Sequence, residues 1–220
     1  MRAAMEGIGN THHHLVPKTA TTTVFHIDAL CRKCELDKAL NLALYDMPIC
    51  SNTTDYNKVC LSLLKACHKA RSFPHAKAFY DHLTFHRQTV LIESLRNDLV
   101  VTLAKCGALH DAHQLLLSMP LCTVHSWTAV IAGYADQSRG QDALFIYSLM
   151  QEEGVKPDEY TYVALFKACG SIPDLERGVN LHSLAMREGY SSYTFVGNTL
   201  IAMYGKCGSV KEAENFSMLD

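Results

Sequence analysis

Residues 124–158 read VHSWTAVIAGYADQSRGQDALFIYSLMQEEGVKPD. Two segments, Val124–Tyr134 and Gly140–Met150, carry apolar residues at helical spacing on either side of a polar break. Pro157 lacks an amide hydrogen and forbids continuation of the second segment as a helix. The stretch is a helical hairpin of 35 residues, and working outward from it shows the same hairpin again in both directions.

Small residues mark the phase. Ala39, Ala76, Ala112, Ala143, Gly178 and Ala213 each open the buried side of a second helix, at spacings of 37, 36, 31, 35 and 35 residues. A small side chain at that place lets the two helices of a hairpin approach closely. Counting back predicts units near 20–56, 57–92, 93–123, 124–158, 159–193 and 194–220, the last truncated. The first unit is loose, with helices over 21–34 and 36–47 and a linker over 49–55. Gly107 and Gly208 fall at the turn between helices, where a positive φ costs glycine little. No period-2 pattern competes with the helical one. A lone hairpin cannot bury its apolar face, so the hairpins must stack. Leu63 and Leu64, Leu99 and Val100, Val130 and Ile131, Leu165 and Phe166, and Leu200 and Ile201 are the expected core, each worth roughly 1.5–3 kcal/mol when buried. The fold class is therefore all-α: a right-handed α-solenoid of about six helix-turn-helix repeats of 31–37 residues, preceded by a flexible tail over 1–19. A last unit ending at Asp220 without a full repeat or a polar cap suggests a fragment of a longer chain.

Composition excludes several classes. Of 220 residues, 48% are hydrophobic, too many for a disordered chain, and the net charge is -2, so the molecule is not a uniformly basic nucleic-acid binder. Any anion binding must come from how the 20 Lys and Arg are arranged. The nine Cys are odd in number and lie mostly on expected helices, as in a reducing compartment. No apolar run approaches a membrane span. Met1–Thr19 carries only Arg2 and Lys18 as basic residues and is a poor targeting peptide. The His12–His13–His14 run reads as polar tail.

In the first helix of each unit, positions 2, 5, 9 and 13 share one face that the core pattern does not use. Position 13 reads Arg32, Lys69, Lys105, Asp136, Ser171 and Lys206, and position 9 adds Lys65 and Lys167. Lysines recurring once per repeat in a slightly acidic chain suit a phosphate backbone. The plainer reading is that they complement helix C-termini, and both can hold. The candidate phosphate-binding residues are Lys65, Lys69, Lys105, Lys167 and Lys206.

Three runs resemble a known family: Ser126-Trp127-Thr128-Ala129-Val130-Ile131-Ala132-Gly133-Tyr134, Gly154-Val155-Lys156-Pro157-Asp158 and Met203-Tyr204-Gly205-Lys206-Cys207-Gly208. They are similar to plant pentatricopeptide repeats, and the mixed repeat lengths resemble the subclass of standard, long and short units. Leu64-Lys65-Ala66-Cys67 and Phe166-Lys167-Ala168-Cys169 resemble the long type. The resemblance covers 57–214 well and 20–47 weakly. It implies a solenoid that binds single-stranded RNA in mitochondria or chloroplasts, as a specificity factor in editing, splicing or stabilisation. It also implies that position 5 and the last residue of a unit together read one base, with position 2 packing against it. Carried over, Thr128 with Asp158 resembles a pair favouring guanine, with His125 beside that base. Asn97 resembles a pyrimidine-favouring residue, but its partner Thr123 departs from the usual Asp or Asn. Asn198 matches at position 5, with Phe195 packing, and its second partner is not determined. Tyr160 is the remaining candidate for base packing. Leu61 with Ile92 and Val163 with Tyr193 cannot hydrogen-bond a base edge through both members.

Catalytic signatures are missing. The editing deaminases of this subclass carry His-x-Glu and a later Pro-Cys-x-x-Cys, and this chain has no His-x-Glu. Cys31-Arg32-Lys33-Cys34 stands alone on a helix end. Cys106 and Cys207 recur in repeat phase and read as structural. No phosphate loop or nucleophile elbow occurs. The chain is expected to be no enzyme, to hold no metal or cofactor and to touch no membrane. Six units at one base each give modest affinity, so a longer parent chain, a homodimer or a second protein supplying catalysis is expected. The competing function is a helical protein-interaction scaffold. Its best-known repeats carry a Trp-x-x-Leu-Gly-x-x-Tyr pattern that is missing here.

Overall fold

The computed structural model describes residues 20–45, 53–85, 93–209 and 211. Several expectations lie outside these residues: the 1–19 tail with its histidines, most of the 49–55 linker, Ile92, Ala213 and the second helix of the last unit. Among the described residues the order is α1 (Ala20–Arg32), α2 (Leu36–Tyr45), α3 (Thr53–Ala70), α4 (Phe73–Phe85), α5 (Glu93–Lys105), α6 (Leu109–Ser118), α7 (Val124–Asp136), α8 (Gly140–Glu152), α9 (Glu159–Ser171), α10 (Leu175–Arg187) and α11 (Thr194–Lys206). A 3-10 turn, Tyr190–Ser192, joins the last two.

Each first helix ends in the same way. The amide of the residue that starts the next hairpin arm donates back to a carbonyl five residues earlier: Glu35 to Leu30, Ser72 to Cys67, Ala108 to Leu103, Arg139 to Tyr134, Asp174 to Cys169 and Ser209 to Tyr204, all at 2.9–3.2 Å. That closure needs a left-handed residue. Gly107 (φ +89°) and Gly208 (φ +76°) supply it as expected. Cys34, Arg71 and Ser138 take the same conformation in their repeats despite their side chains (φ +60°, +46° and +58°), at some steric cost.

The small marker residues sit where helices touch. Ala39, Ala76, Ala112 and Ala143 are fully buried, and Gly178 is buried with them. A Cβ on Gly178 would lie 2.6 Å from the Met203 sulfur in α11. Of the ten expected core residues, nine are buried. Ile201 is half-exposed, because no described helix packs over it.

Two readings need correction. The helix α3 starts at Thr53 rather than near Asn57. Asp55 lies in its first turn, and buried Tyr56 anchors the extra turn. The helix α8 ends at Glu152, well before Pro157. Gly154 (φ +71°) ends it instead, with the amides of Gly154 and Val155 bonding back to Gln151 and Met150.

The first helices form an unbroken inner layer in which α1, α3, α5, α7, α9 and α11 each pack on the next. Among the second helices of the described residues, α2 and α4 approach each other most closely, and α6, α8 and α10 pack chiefly on their own hairpin partners or on the next first helix. Closer packing on one side than the other bends the stack around the first helices.

Candidate nucleic-acid interface

The last residue of a unit is the N-cap of the next first helix, so its side chain is drawn toward the exposed amides there. Asp158 caps α9: its Oδ1 accepts from the Thr161 amide at 2.8 Å and from the Thr161 hydroxyl at 2.7 Å. The Thr161 hydroxyl in turn accepts from the Asp158 amide at 3.2 Å, which completes a capping box. Thr128, on the preceding first helix, lies with its hydroxyl 2.6 Å from that of Thr161. The two residues of the candidate pair, Thr128 and Asp158, are thus joined through Thr161.

One repeat earlier the same junction recurs with other residues. Thr123 caps α7, and its hydroxyl accepts from the Ser126 amide at 3.3 Å. The Asn97 Oδ1 accepts from the Thr123 amide (3.0 Å), the Thr123 hydroxyl (3.2 Å) and the Ser126 hydroxyl (2.6 Å). The Asn97 Nδ2 donates to the Glu93 carbonyl at 2.9 Å. Ser126 and Thr161 occupy the same place in their helices, and neither stood out in the sequence. The available signal was a capping residue followed three places later by a hydroxyl.

These contacts correct one expectation. Position 5 was placed off the core, yet Asn97 and Thr128 are only 9% and 8% exposed. The next repeat covers them, and periodicity within one helix does not register a neighbour. Asn198 is exposed, since no described residue takes the places of Thr123 and Ser126 beside it. At the junction of α9 with α11 the corresponding places hold Val163, Tyr193 and Val196, and between α3 and α5 the described ones hold Leu61 and Leu95.

The position-2 candidates divide. His125 is exposed at the start of α7. Tyr160 (60% exposed) and Phe195 (40% exposed) stack on each other, centroids 5.5 Å apart and 25° from parallel. Tyr193 tilts against Phe195 at 5.8 Å. A base slotted between two rings needs two contacts of about 3.5 Å, so the Tyr160–Phe195 pair offers a base its outer face rather than a slot.

The lysines lie on first helices, at or near their C-terminal ends. Lys65 and Lys69 line a hollow of about 250 Å³ between α1 and α3, together with Asp28, Ser62 and Arg32. Arg32 is held by Asp28 at 3.0 Å. Lys105 lies close enough to His68 on α3 to help hold that imidazole below its ordinary pKa, behind burial as the larger cause. Lys206 lies along Gly170 of α9, where a Cβ would come within 3.1 Å of its Cδ. Lys69, Lys105 and Lys206 thus reach the C-terminal end of a neighbouring first helix, about 12 Å along the helix from position 5, and Lys65 stands about 6 Å from it. Lys167 differs: its Nζ is 3.4 Å from Asp136 Oδ1 on α7.

The cysteines are structural in their contacts. Cys106 points its thiol at the Cys67 carbonyl (3.5 Å), and Cys207 repeats the contact with Cys169 (4.0 Å). Burial pushes Cys67 and Cys169 up to about 12 and Cys31 up to about 11, so all three stay protonated at neutral pH. Among the described residues no group of three or more His, Cys, Asp or Glu could hold a metal ion, and no helix is long and apolar enough to cross a membrane.

Comparison with known proteins agrees with this fold. Residues 123–171 match the PPR repeat family, and residues 198–216 match the PPR repeat. A chloroplastic pentatricopeptide repeat-containing protein of Arabidopsis thaliana is 32% identical over 167 residues, 74% of this chain and 31% of the relative. A putative mitochondrial one from the same plant is 31% identical over 192 residues, 87% of this chain and 30% of the relative. The chain spans about a third of the length of these relatives. In backbone, the crystal structure of the pentatricopeptide repeat protein PPR10 from maize superposes with a TM-score of 0.59 at 16% identity, over 93% of this chain and 31% of that one. PPR10 in complex with an 18-nt psaJ RNA element gives 0.57 at 17% identity, over 91% and 34%. In sequence the chain is similar to pentatricopeptide repeats at residues 123–171 and 198–216, and in fold it resembles a pentatricopeptide repeat protein over 93% of its length.

Proposed function

We propose that the array binds single-stranded RNA along its layer of first helices, reading bases at the junctions between repeats and holding phosphates with the lysines nearer the helix C-termini. The observation that carries this reading is the pair of junctions at Asn97–Thr123 and Thr128–Asp158. In both, the residues suggested as base readers meet at one place in the repeat through hydrogen bonds. The maize protein of the same fold has been crystallised with an RNA element, which supports the same ligand class here.

Asn97, Thr123, Thr128, Asp158 and Asn198 are the base-reading candidates, with His125, Tyr160 and Phe195 against the bases. Lys65, Lys69, Lys105 and Lys206 serve the backbone, and Lys167 serves it after release from Asp136. The finer assignments rest on the family resemblance and the repeat lengths: the mixed subclass, a chloroplast or mitochondrion as in relatives named for those compartments, and a role in editing, splicing or stabilisation as a specificity factor without its own catalysis. The units set out above remain the proposed organisation of the chain. A homodimer or a protein partner would supply the affinity and the catalysis that six weak sites lack.

Titration of random single-stranded RNA at several salt concentrations tests the reading. Expected is binding whose logarithm falls linearly with log salt, with a slope of about −0.7 per neutralised phosphate. No binding, or binding indifferent to salt, favours the scaffold reading. One observation favours that alternative: an apolar hollow of about 420 Å³ between α8 and α10, on the outer side, is lined by Leu144, Phe145, Tyr147, Leu181 and Leu184, with Phe145 mostly exposed.

A further inference from the structure

We infer that Thr161 and Ser126 are positioning residues that set opposite hydrogen-bond polarity at two adjacent base-reading junctions, an inference that rests on the RNA-binding reading and extends it to residues outside the reading pairs. The argument is one of counting hydrogens. A hydroxyl has one hydrogen and two lone pairs, and a carboxylate only accepts. Thr161 gives its hydrogen to Asp158 Oδ1 and accepts from the Asp158 amide. Its remaining lone pair is all it can offer Thr128 at 2.6 Å. Thr128 therefore donates to Thr161, which leaves its own oxygen with lone pairs only. Asp158 spends Oδ1 on the capping box and keeps Oδ2 as a second acceptor. Two acceptors joined through one hydroxyl call for two adjacent donors, and on the Watson–Crick edge of a base that is guanine, through N1–H and the N2 amino group.

At the preceding junction the count runs the other way. The Thr123 amide can only donate, so the Asn97 atom facing it is the oxygen, and the orientation of the amide follows. The Ser126 hydroxyl binds that oxygen at 2.6 Å. The Nδ2 gives one hydrogen to the Glu93 carbonyl and has one left. Asn97 presents a donor, which suits the carbonyl acceptors of a pyrimidine. Without the hydroxyl at the third place, Thr128 is free to turn its hydrogen outward and Asn97 is less firmly oriented. The junction between α9 and α11, with Val196 at that place and Val163 at position 5, has no such polarity and reads no base edge through these residues.

The experiment captures a randomised short RNA pool on the parent chain and on Thr161→Val, Thr161→Ser, Thr161→Ala and Ser126→Ala, and sequences what is retained. Melting curves confirm that each variant is folded. The parent enriches guanine at one place and a pyrimidine at its neighbour. Thr161→Val, nearly the same shape, loses the guanine preference by about tenfold, the low end for one base-edge contact, and leaves the neighbour alone. Ser126→Ala leaves guanine alone and weakens the pyrimidine preference by a smaller factor, since the Thr123 amide and the Glu93 carbonyl still orient Asn97, and Thr161→Ser keeps the parent pattern. If Thr161→Val is unfolded, Thr161→Ala gives the same reading with less bulk. Guanine preference that survives loss of the hydroxyl, or an equal loss at every place, overturns the inference while leaving RNA binding intact. A parent that retains RNA without preference overturns the inference alone, and a parent that retains no RNA overturns the RNA-binding reading with it.

Discussion

The junction between α7 and α9 and the junction between α9 and α11 share a backbone plan and differ in what fills it. The first joins Thr128, Thr161 and Asp158 through short hydrogen bonds. The second has Val163, Val196 and Tyr193 at the same places, with Val196 fully buried and exposed aromatic rings stacked beside it. A solenoid needs every junction to close, and either chemistry closes it. Apolar residues do so by leaving water. Hydroxyls and carboxylates do so by satisfying one another, and in doing so they keep directional groups near the surface. The difference between the two junctions is therefore one of specificity more than of stability.

The largest expected effect breaks that equivalence. Val196→Asp places a carboxylate at the Thr161 place of a junction whose position 5 is Val163 rather than a hydroxyl, and the cost of an uncompensated buried charge is about 3–5 kcal/mol. Urea unfolding measures it, and a variant as stable as the parent would show that the apolar junction tolerates polarity unaided. Next is Gly140→Ala. A Cβ there runs into the Ala168 carbonyl and the Ser171 hydroxyl at the end of α9, so overpacking should cost about 1–3 kcal/mol by the same measurement. The double change Thr128→Asn with Thr161→Ser rebuilds the Asn97–Ser126 arrangement one repeat later. It should move preference there from guanine toward a pyrimidine by about 1 kcal/mol, read by competition between RNAs differing at one base. Lys105→Ala and Lys206→Ala should weaken all RNAs alike and each flatten the salt slope by about 0.7.

The smallest effect is on pH. His113 bonds Tyr134 and His182 bonds Tyr204 in equivalent places, and burial holds both imidazoles below their ordinary pKa, with His110 adding to the effect at His113. A depressed histidine favours the neutral form in the folded chain. Its stabilisation is whole above the unfolded value of about 6.5 and is lost as pH falls through the folded value. Thermal melting at descending pH should show this decline, and His113→Gln with His182→Gln should flatten it.

Much of the fold was legible. The alanines and Gly178 announced the hairpin contacts because a missing side chain is visible in a sequence. Gly107 and Gly208 announced their turns, although Cys34, Arg71 and Ser138 make the same turn unannounced. What could not be seen was contact across repeats. Asn97 and Thr128 look like surface residues within their own helices and are covered only when the next helix arrives. Lys167 belongs to a basic row by spacing and to Asp136 by geometry. Ser126 and Thr161 carried a faint capping signal, overshadowed by the residues on either side of them.

The uneven packing of the two walls has a mechanical consequence. Inner helices abut, with axes typically 8–10 Å apart, whereas several outer ones pack less closely on one another. Tension along the array can open wedges at the rim while sacrificing little buried area. The step from one recognition place to the next stays nearly constant as the curvature changes. Such an object behaves as a bendable ruler, whose graduations hold while its arc adapts to a strand.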